Sequence, residues 1–583
     1  MRAVVLLSTA LFTAAIGASV EPAFAQAQKK PNVVVIMTDD VGWGDAQPYG
    51  FNRGVPTPNL NQLAAEGMRF TSWYGQASCT AGRASFMTGR IPVRSALSVV
   101  VAPGDENHLQ KSQPTVAEFF KKNGYQTYYS GKWHLGDKPD AYPINHGFDE
   151  MKHFLAYYAG VYAYTDTILH PTFPRNNPEF MKMYWSVVND GEWEGKAGET
   201  PRRVVEHFSY KDLALIDNQQ AASAVEHLKA HYKDDKPMFM YVAFMKVHNP
   251  NNPAPEFAGK SHLSRYLDAF MELDNNTGKI LKAIKELGIE KETIVLWTTD
   301  NGPWIDAYPD AGYTPFRAAK GSTFEGAFRV PAFIWAPGRV NPGTVNNDII
   351  GHIDAWPTLA GLAGLTPPPH GAWTGNDGQP IYFDGIDQSA RIRSYASPMV
   401  ATANDNGSRV GANGGRVTTS GGEVALGGKD NASVPAPRMT WVYMRGLDLQ
   451  DVRYGEWKWS WSAQDAWLGP KLDMGLPAVY NLYMDPGEQY DMAFNGAAPK
   501  VQNQIGASPG RWSGQDGGWT MALAGKVMSD VIESFKKYPN VPTIPGGASL
   551  GSDIPEFVRP TILPGKEPET NPAIKNMKLE PNQ

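Results

Sequence analysis

The sequence predicts an α/β fold: a large, mostly parallel sheet sandwiched by helices, followed by a smaller C-terminal subdomain with an antiparallel sheet. Two observations favour it. Between residues 32 and 335, short apolar segments alternate with amphipathic ones, as in parallel sheets covered by helices on both faces. After residue 439, short strand-like segments follow one another without helices between them, which is typical of antiparallel sheets.

The main domain, expected at residues 26–390, begins with a strand over residues 33–37. This continuous apolar run is rich in β-branched residues, which suits a strand buried on both faces. A helix over residues 59–68 follows, with apolar side chains on one face and a glycine near its end. A second helix, over residues 114–122, is stopped by an Asn-Gly pair, and a strand over residues 125–130 comes next.

The second half of this domain continues the alternation. A helix is predicted over residues 213–228 and a strand over residues 238–245. The segment 266–287 places apolar residues at helical spacing, and two buried strands are predicted at residues 293–299 and 332–335. In a sheet of this kind, functional sites form beyond the carboxyl ends of the strands.

The last third of the chain has a different composition. Residues 391–438 are rich in Gly, Ser and Asn without any period, so we expect a surface excursion there. The C-terminal subdomain is expected at residues 439–583. Its predicted elements are strands over residues 440–444, 456–461 and 479–483, a helix over residues 519–536, and a Pro-rich tail from Pro539.

Composition and charge limit the class of protein. Of 583 residues, 42% are apolar and 19% are charged, which is ordinary for a globular chain and excludes bulk disorder. The 53 basic and 59 acidic side chains leave a net charge of −6. The sequence therefore has no basic footprint for nucleic acid or for an anionic membrane, and we expect no nucleic-acid partner.

Residues 1–25 have the pattern of a cleavable signal peptide. Arg2 precedes an apolar run over residues 3–16, and the motif at residues 23–25 offers a cleavage site before Gln26. A membrane anchor is the alternative, but the run is short for a span. We therefore expect an exported protein, periplasmic or secreted, with no stable membrane anchor.

Oxygen ligands follow two of the predicted strands. Asp39 and Asp40 come directly after the first strand, and Asp300 and Asn301 come directly after the strand at 293–299. Each pair alone is compatible with an ordinary turn. Together, three carboxylates and an amide at one edge of a sheet form a set of hard donors suited to Ca²⁺ or Mg²⁺.

Cys79 is the single cysteine of the chain, so it forms no internal disulfide, and cysteine-based zinc sites and iron–sulfur clusters are excluded. A small buried hydrophobe is the simplest interpretation of a lone cysteine. Its neighbours, however, are small and polar, a short helix is expected to begin there, and Arg83 follows. A helix N-terminus beside a guanidinium favours an anion.

Four more basic residues lie at or near the predicted edge. Lys132 and His134 follow one strand, His248 follows another, and Lys320 lies in a Gly-rich loop. A lysine supplies point charge for an anionic group, and a histidine transfers protons near neutral pH. Taken singly, each is also compatible with a solvated lysine or a structural histidine.

Together these segments resemble the sulfatase family of the alkaline-phosphatase-like superfamily. The likeness extends over residues 31–363, with a weaker echo in residues 454–491. Two residues depart from the first signature: Ala81 stands where proline is usual, and Gly82 where serine is common. Five blocks carry the resemblance in family order, at residues 79–90, 124–134, 298–303, 320–326 and 481–488.

The resemblance implies an alkaline-phosphatase-like fold and hydrolysis of sulfate esters. It implies that Cys79 is oxidised to formylglycine by a formylglycine-generating enzyme, and that the hydrated aldehyde, a gem-diol, is the nucleophile. It also implies one divalent cation per chain, Ca²⁺ with Mg²⁺ as the alternative. The implied metal ligands are Asp39, Asp40, Asp300, Asn301 and an oxygen of modified Cys79.

The same resemblance assigns roles to the basic residues. Arg83 would stabilise the oxyanion of the nucleophile, while Lys132 and Lys320 would neutralise the sulfate oxygens. His248 would protonate the departing alcohol or phenol. His134 would remove a proton from the second hydroxyl, which expels sulfate and restores the aldehyde.

The expected substrate is a small-molecule or carbohydrate sulfate ester. Aromatic residues are frequent in residues 139–206, and they suit aryl groups and sugar faces alike, with a lean towards aryl sulfates. Two alternatives stay open: a phosphonate monoester or phosphodiester hydrolase of the same superfamily, and an inactive envelope-binding protein that keeps Cys79 as a thiol. A two-zinc phosphatase is less favoured, because the sequence offers no His-rich ligand set.

Overall fold

The computed structural model describes most of the chain between residues 29 and 542. The predicted signal peptide, most of the predicted excursion at residues 391–438 and the Pro-rich tail beyond residue 542 lie outside the described residues. None of the helices in the described part is long and apolar enough to span a membrane. The described residues are 29–51, 53–157, 159–162, 172–179, 181–182, 191–306, 309–395, 436–465, 467, 469–492 and 520–542, together with the backbone of three two-residue strands between 402 and 417.

The main domain is built on one large sheet, in which the described residues contribute eleven strands. Along the sheet the order is β10-β2-β9-β8-β1-β7-β3-β4-β5-β6, with β11 also paired to β2. The strands are β1 (Asn32–Thr38), β2 (Met68–Tyr74), β3 (Gln126–Lys132), β4 (Glu150–Leu155), β5 (Glu192–Lys196), β6 (Arg202–Val205), β7 (Met238–Ala243), β8 (Thr293–Thr299), β9 (Arg329–Trp335), β10 (Thr344–Asn346) and β11 (Ile350–Gly351).

The centre of the sheet is parallel, as the alternation of strands and helices predicts. Strands β8, β1, β7, β3 and β4 run in the same direction, whereas β9 pairs antiparallel with β8 and β2, and β5 and β6 form an antiparallel edge. The predicted mostly parallel sheet is therefore confirmed.

Helices cover both faces of the sheet, and β1 shows why its sequence is apolar throughout. Val33 and Val35 pack into one core, whereas Val34 and Ile36 pack into the other. The longer helices are α1 (Pro58–Glu66), α2 (Cys79–Thr88), α3 (Val116–Lys122), α4 (Ile216–His231), α5 (Arg265–Glu286) and α6 (His352–Leu362). Buried side chains of α2, α3 and α6 belong to the first core, and those of α1 and α5 to the second.

Several boundaries differ from the sequence prediction, and two of them have a clear local cause. The predicted helix over residues 213–228 begins only at Ile216, because a separate single-turn helix, Tyr210–Leu213, precedes it with its own capping box at Ser209. Met68 belongs to β2 rather than to the preceding helix, since Gly67 already has an extended backbone.

A small two-stranded sheet and the C-terminal subdomain follow. The first pairs β12 (Gly371–Thr374) with β13 (Pro380–Phe383). Strands β14 (Thr402–Ala403), β15 (Arg409–Val410) and β16 (Arg416–Val417) fall within the predicted excursion. The subdomain has an antiparallel sheet of β17 (Thr440–Arg445), β18 (Asp448–Tyr454), β19 (Trp457–Ala463) and β20 (Leu472–Asn481), on which α7 (Met521–Lys537) packs.

Four parallel strands bring their carboxyl ends to one edge of the large sheet. The last residues of β1 and β8, Thr38 and Thr299, are direct partners in the ladder. On the other side of β1, strand β7 pairs with β1, and β3 pairs with β7. The segments that follow β8, β1, β7 and β3 therefore meet at this edge.

Candidate active site

The acidic residues that follow β1 and β8 lie against each other. The amide nitrogen of Asn301 donates to Oδ1 of Asp40 over 2.6 Å, and the backbone N–H of Asp40 points to Oδ1 of Asp300 at 3.4 Å. Asp40 has a positive φ of 57°, an uncommon conformation that turns the chain sharply after β1. All four predicted ligands, Asp39 included, are buried.

Cys79 is the first residue of α2, and its thiol points into this acidic cluster. The residue is 1% exposed. Its Sγ lies 2.9 Å from Nζ of Lys320 and 3.8 Å from Oδ1 of Asp39. Burial raises the pKa of the Cys79 thiol to about 12, although two lysines oppose this. An unmodified thiol here stays protonated and is a poor nucleophile.

Arg83, in α2, and Lys132, at the end of β3, balance the charge of the carboxylates. Nε of Arg83 lies 2.9 Å from Oδ2 of Asp300, and one of its terminal nitrogens lies 3.4 Å from Oδ2 of Asp39. Lys132 forms a buried ion pair with the same oxygen of Asp39. Burial works to raise the pKa of Asp39, but the neighbouring cations, first among them Lys132, lower it.

Lys320 reaches the site from the loop before β9. Its Nζ lies 2.6 Å from Oδ1 of Asp40 and also contacts Cys79. Burial works to raise the pKa of Asp40, but the charges of Lys320, His248 and Lys132 together outweigh it, and the pKa of Asp40 falls below its usual value. For Asp300, burial and the charge of Asp39 raise the pKa.

The two histidines have different hydrogen-bonding partners. In His248, Nδ1 lies 2.6 Å from the carbonyl oxygen of Asn249, so this nitrogen donates, and Nε2 lies 3.6 Å from Oδ2 of Asp40. In His134, Nε2 lies 3.2 Å from the carbonyl oxygen of Val101 and donates to it. Burial lowers the pKa of His248 to about 4, against the opposing charge of Asp40, and burial also lowers the pKa of His134 well below its usual value.

The donor set fits a divalent cation. Oδ2 of Asp40 and Oδ1 of Asn301 are buried oxygens without a hydrogen-bond partner among the described residues. Such atoms are costly unless something coordinates them. One ligand atom each of Asp39, Asp40, Cys79 and His248 lies within 4.8 Å of the others. Because the acidic and amide oxygens are hard donors, the set suits Ca²⁺ or Mg²⁺.

The structure thus brings together the predicted site residues, shows what Gly82 contacts, and adds Trp304, which sequence patterns did not single out. An added Cβ at Gly82 would lie 2.1 Å from the carbonyl oxygen of Asp300, so the first turn of α2 packs directly on the end of β8. Trp304 lies beside the site: its ring is 5.6 Å from that of His248, and Nζ of Lys320 lies 4.8 Å from its centre. The position of Trp304, three residues after Asn301, was the only sequence signal for it.

The fold and the cluster at the sheet edge define a hydrolase of the sulfatase type, and comparison with known proteins agrees. The sulfatase family model matches residues 31–365. The chain belongs to the sulfatase family, whose enzymes hydrolyse sulfate esters. The predicted family, fold class and reaction are confirmed, and the phosphonate and phosphodiester alternatives are not favoured.

Named sulfatases align with more than three fifths of the chain. The chain is 33% identical to human N-acetylgalactosamine-6-sulfatase over 376 residues, which cover 62% of this chain and 67% of that protein. It is 34% identical to human arylsulfatase A over 379 residues, covering 64% and 71% of the two chains. The crystal structure of the PsFucS1 sulfatase from Pseudoalteromonas sp. superposes with a TM-score of 0.71 at 29% identity, covering 88% of this chain and 92% of that one.

Proposed function

We propose that this sulfatase uses Cys79, oxidised to formylglycine, as the nucleophile of sulfate-ester hydrolysis. The observation that carries the proposal is the place of Cys79: a buried residue at the start of α2, facing Asp39 and in contact with Lys320. Its thiol is held protonated by burial and is of little use as such. A hydrated aldehyde at the same position presents two hydroxyls on one carbon, one to attack sulfur and one to give up a proton afterwards.

We also propose that one Ca²⁺ ion, or Mg²⁺ in its place, is held by the oxygens of Asp39, Asp40, Asp300 and Asn301. Their burial and the two oxygens without a partner support this choice. When bound, the cation would supply Lewis-acid chemistry, polarising the sulfate group and favouring the ionised nucleophile.

The cationic side chains would bind and orient the sulfate group. Lys132 and Lys320 approach the nucleophile from different segments, one from the end of β3 and one from the loop before β9. Arg83, fixed by Asp300, adds a third positive charge beside Cys79. Preorganised charges in a buried site stabilise the developing negative charge of the transition state.

The two histidines would move protons at opposite stages. Because Nδ1 of His248 donates to Asn249, its Nε2 is the nitrogen that, once protonated, would deliver a proton to the leaving oxygen. Because Nε2 of His134 donates to Val101, its Nδ1 is the nitrogen that would accept a proton from the second hydroxyl of modified Cys79.

The substrate would be a sulfated carbohydrate or a small sulfate ester. The named relatives include an N-acetylgalactosamine-6-sulfatase and an arylsulfatase, so both classes are represented. A panel of carbohydrate, aryl and alkyl sulfates separates them, with phosphate esters of the same alcohols as the control for the reaction class.

Maturation would involve export and a formylglycine-generating enzyme. The pattern of residues 1–25 supports removal of a signal peptide, which N-terminal sequencing checks by a mature chain beginning at Gln26.

The experiment that tests the nucleophile combines mass and activity. Conversion of Cys79 to formylglycine replaces H₂S by O, so intact mass gives the modified fraction. We expect activity to rise in proportion to that fraction, and both Cys79→Ser and Cys79→Ala to be inactive with an unchanged circular dichroism spectrum. A folded Cys79→Ala protein with full activity would overturn the proposal.

A further inference from the structure

The loop that carries Lys320, residues 320–325, is attached to the C-terminal subdomain by its backbone. Three of its polar groups have partners there. Nε of Arg445 donates to the carbonyl oxygen of Gly321 over 2.7 Å, Nζ of Lys458 donates to that of Thr323 over 2.7 Å, and Glu488 accepts from the backbone N–H of Glu325 over 2.7 Å.

The partners of the loop are themselves fixed by buried charges. Lys458 forms an ion pair with Glu488, and Oδ2 of Asp451 lies 3.4 Å from the same ammonium group. All three side chains are fully buried. Burying charges is costly even when they are paired, and apolar side chains would stabilise this interface at least as well. A buried ion pair has another use: its ammonium group can only donate hydrogen bonds and its carboxylate can only accept them, so the partners in the loop are specified.

Glu325 attaches the other end of the loop to both parts of the molecule. One of its carboxylate oxygens accepts from the hydroxyl of Tyr443 in β17, and the other accepts from that of Tyr74 in β2, each over 2.6 Å. The side chain is buried, so this end of the loop has little freedom.

At its beginning, the loop meets the proposed nucleophile. The backbone N–H of Gly321 donates to the carbonyl oxygen of Ala77, two residues before Cys79, over 2.7 Å. Gly321 has a φ of 87°, in the left-handed region that favours glycine. From here the side chain of Lys320 extends to Sγ of Cys79 at 2.9 Å.

We propose that Arg445, Lys458 and Glu488 are positioning residues, which hold the backbone of residues 321–325 and thereby fix Nζ of Lys320 against the nucleophile and the sulfate group. The inference rests on the proposed role of Lys320. It assigns to the C-terminal subdomain a part in catalysis without any contact with substrate.

The expected kinetic effect follows from what Lys320 would touch. If the ammonium group of Lys320 is displaced, it stabilises the transition state at the sulfate group less. A misplacement of about 1 Å costs on the order of 10²-fold in rate. Loosening the loop should therefore lower kcat more than it raises KM. The loss should be the same for activated and unactivated esters, because Lys320 faces the sulfate group and not the leaving group.

The test is a double-mutant cycle on protein of known formylglycine content. Arg445→Met and Glu488→Met each remove a side chain that holds the backbone of the loop, and Arg445 is only partly buried, so its variant should fold. We expect kcat to fall about 10- to 100-fold in each. In a Lys320→Ala background the same changes should cause no further loss, because their effect passes through Lys320. Lys471→Met is the matched control, because it removes a cation that lies directly before β20 of the same subdomain and contacts Asp448 and Asp473; it should keep wild-type kcat.

The outcomes separate the two proposals. If Lys320→Ala is fully active, the role of Lys320 itself is wrong. If Lys320→Ala is impaired while both loop variants keep wild-type kcat, or if their losses add fully to that of Lys320→Ala, the positioning role is overturned. Thermal unfolding of each variant shows that the comparison is made on folded protein.

Discussion

His248 turns one ring nitrogen, Nε2, towards Asp40, while Nδ1 donates to the backbone of Asn249. This arrangement suits a residue that protonates the leaving group. An alkoxide needs its proton during cleavage of the S–O bond, whereas a nitrophenolate is stable without one. General acid catalysis contributes about 10²–10⁴-fold where it is needed. We therefore expect His248→Ala to reduce turnover of alkyl sulfates by about this factor, and that of nitrophenyl sulfate by much less.

The matched control for this prediction is His134→Ala. Its effect should fall on release of sulfate from the modified residue, a step common to all substrates, and should not depend on the leaving group. Single-turnover measurements with one activated and one unactivated ester distinguish the two steps. Equal losses on both esters in the His248 variant, with chemistry rate-limiting, would remove it from the acid role.

His352, the first residue of α6, gives a pH dependence of stability that is independent of catalysis. Its ring packs against Trp73 and Phe86, and neither ring nitrogen has a hydrogen-bond partner among the described residues. Burial lowers the pKa of His352 to about 3, from about 6.5 in an unfolded chain. The unfolded chain therefore binds the proton more readily, and the stability of the native state falls as pH decreases from 6.5 towards 3.

His352→Phe should remove this contribution while keeping an aromatic ring in the core. Between pH 6.5 and pH 5 the wild type should lose about 1.6 kcal/mol more of its free energy of unfolding than the variant. Denaturant unfolding at the two pH values measures the difference, and exposed His262, changed to Gln, is the control. A His352→Phe protein with the wild type's pH dependence would show that burial of this imidazole is not responsible.

Helix α2 and strand β8 are in contact without any side chain between them. The Cβ of an alanine at Gly82 would lie 2.1 Å from the carbonyl oxygen of Asp300, so the helix or the strand end must move. That movement would disturb the 2.9 Å pair between Arg83 and Asp300 and shift Cys79. We expect Gly82→Ala to lower kcat/KM at least about 10-fold and to destabilise the protein by about 1–3 kcal/mol.

Gly525 in α7 is the control for this substitution. An added Cβ there meets nothing within 4 Å, so Gly525→Ala should leave activity unchanged and stabilise the protein by about 0.4–1 kcal/mol. Because Gly82 lies in the segment that we propose is modified, kcat must be expressed per formylglycine. Wild-type kcat/KM and stability for Gly82→Ala would contradict the close approach of helix and strand.

Sequence periodicity predicted the strands that build the centre of the sheet, because burial on both faces requires continuous apolar runs. It missed β18, whose Asp451 and Arg453 make it look like a polar loop. Both side chains are largely buried, and their partners come from other segments, such as Lys458 in β19 and Tyr74 in β2. Pairing across the sheet, which no local pattern records, makes this strand possible.

The candidate site could be predicted because its acidic residues directly follow parallel strands, and the same placement makes the site compact. Asp39, Asp40, Asp300 and Asn301 directly follow apolar runs, and parallel strands place such residues at one edge. The contacts of Arg445, Lys458 and Glu488 could not be predicted from the sequence. Glu488 fell within a block that resembles the family, but nothing in the sequence around Arg445 or Lys458 indicated a contact with residues 321–325, since the contact joins two parts of the molecule.

Binding of the proposed cation would link the site to the stability of the whole protein. Three carboxylates packed at the sheet edge repel one another, and a cation that binds only the folded state stabilises it by about 2.7 kcal/mol at a concentration of 100 times Kd. We expect a strong chelator to abolish activity and lower Tm, and added Ca²⁺ or Mg²⁺ to restore both. Elemental analysis identifies the ion.

Two variants show where that ion acts. Asp300→Ala should lose the dependence of Tm on added cation. His153, Glu192 and Glu194 form another group of possible ligands in the described part of the chain, and His153→Ala should keep the dependence. A fully active protein without any divalent metal would contradict the prediction.

The position of β1 between β7 and β8 also governs when the protein folds. Its partners are synthesised roughly 200 and 260 residues later, so the ribosome must pass Thr299 before the centre of the sheet closes. Until then the Val-Val-Val-Ile-Met run of β1 has no strand on either side, and unpaired apolar strands are prone to aggregation. Pairing between strands so distant in sequence is also slow. The delay would benefit the proposed maturation, because Cys79, which is 1% exposed in the folded protein, would stay accessible to a modifying enzyme until the last central strand is made.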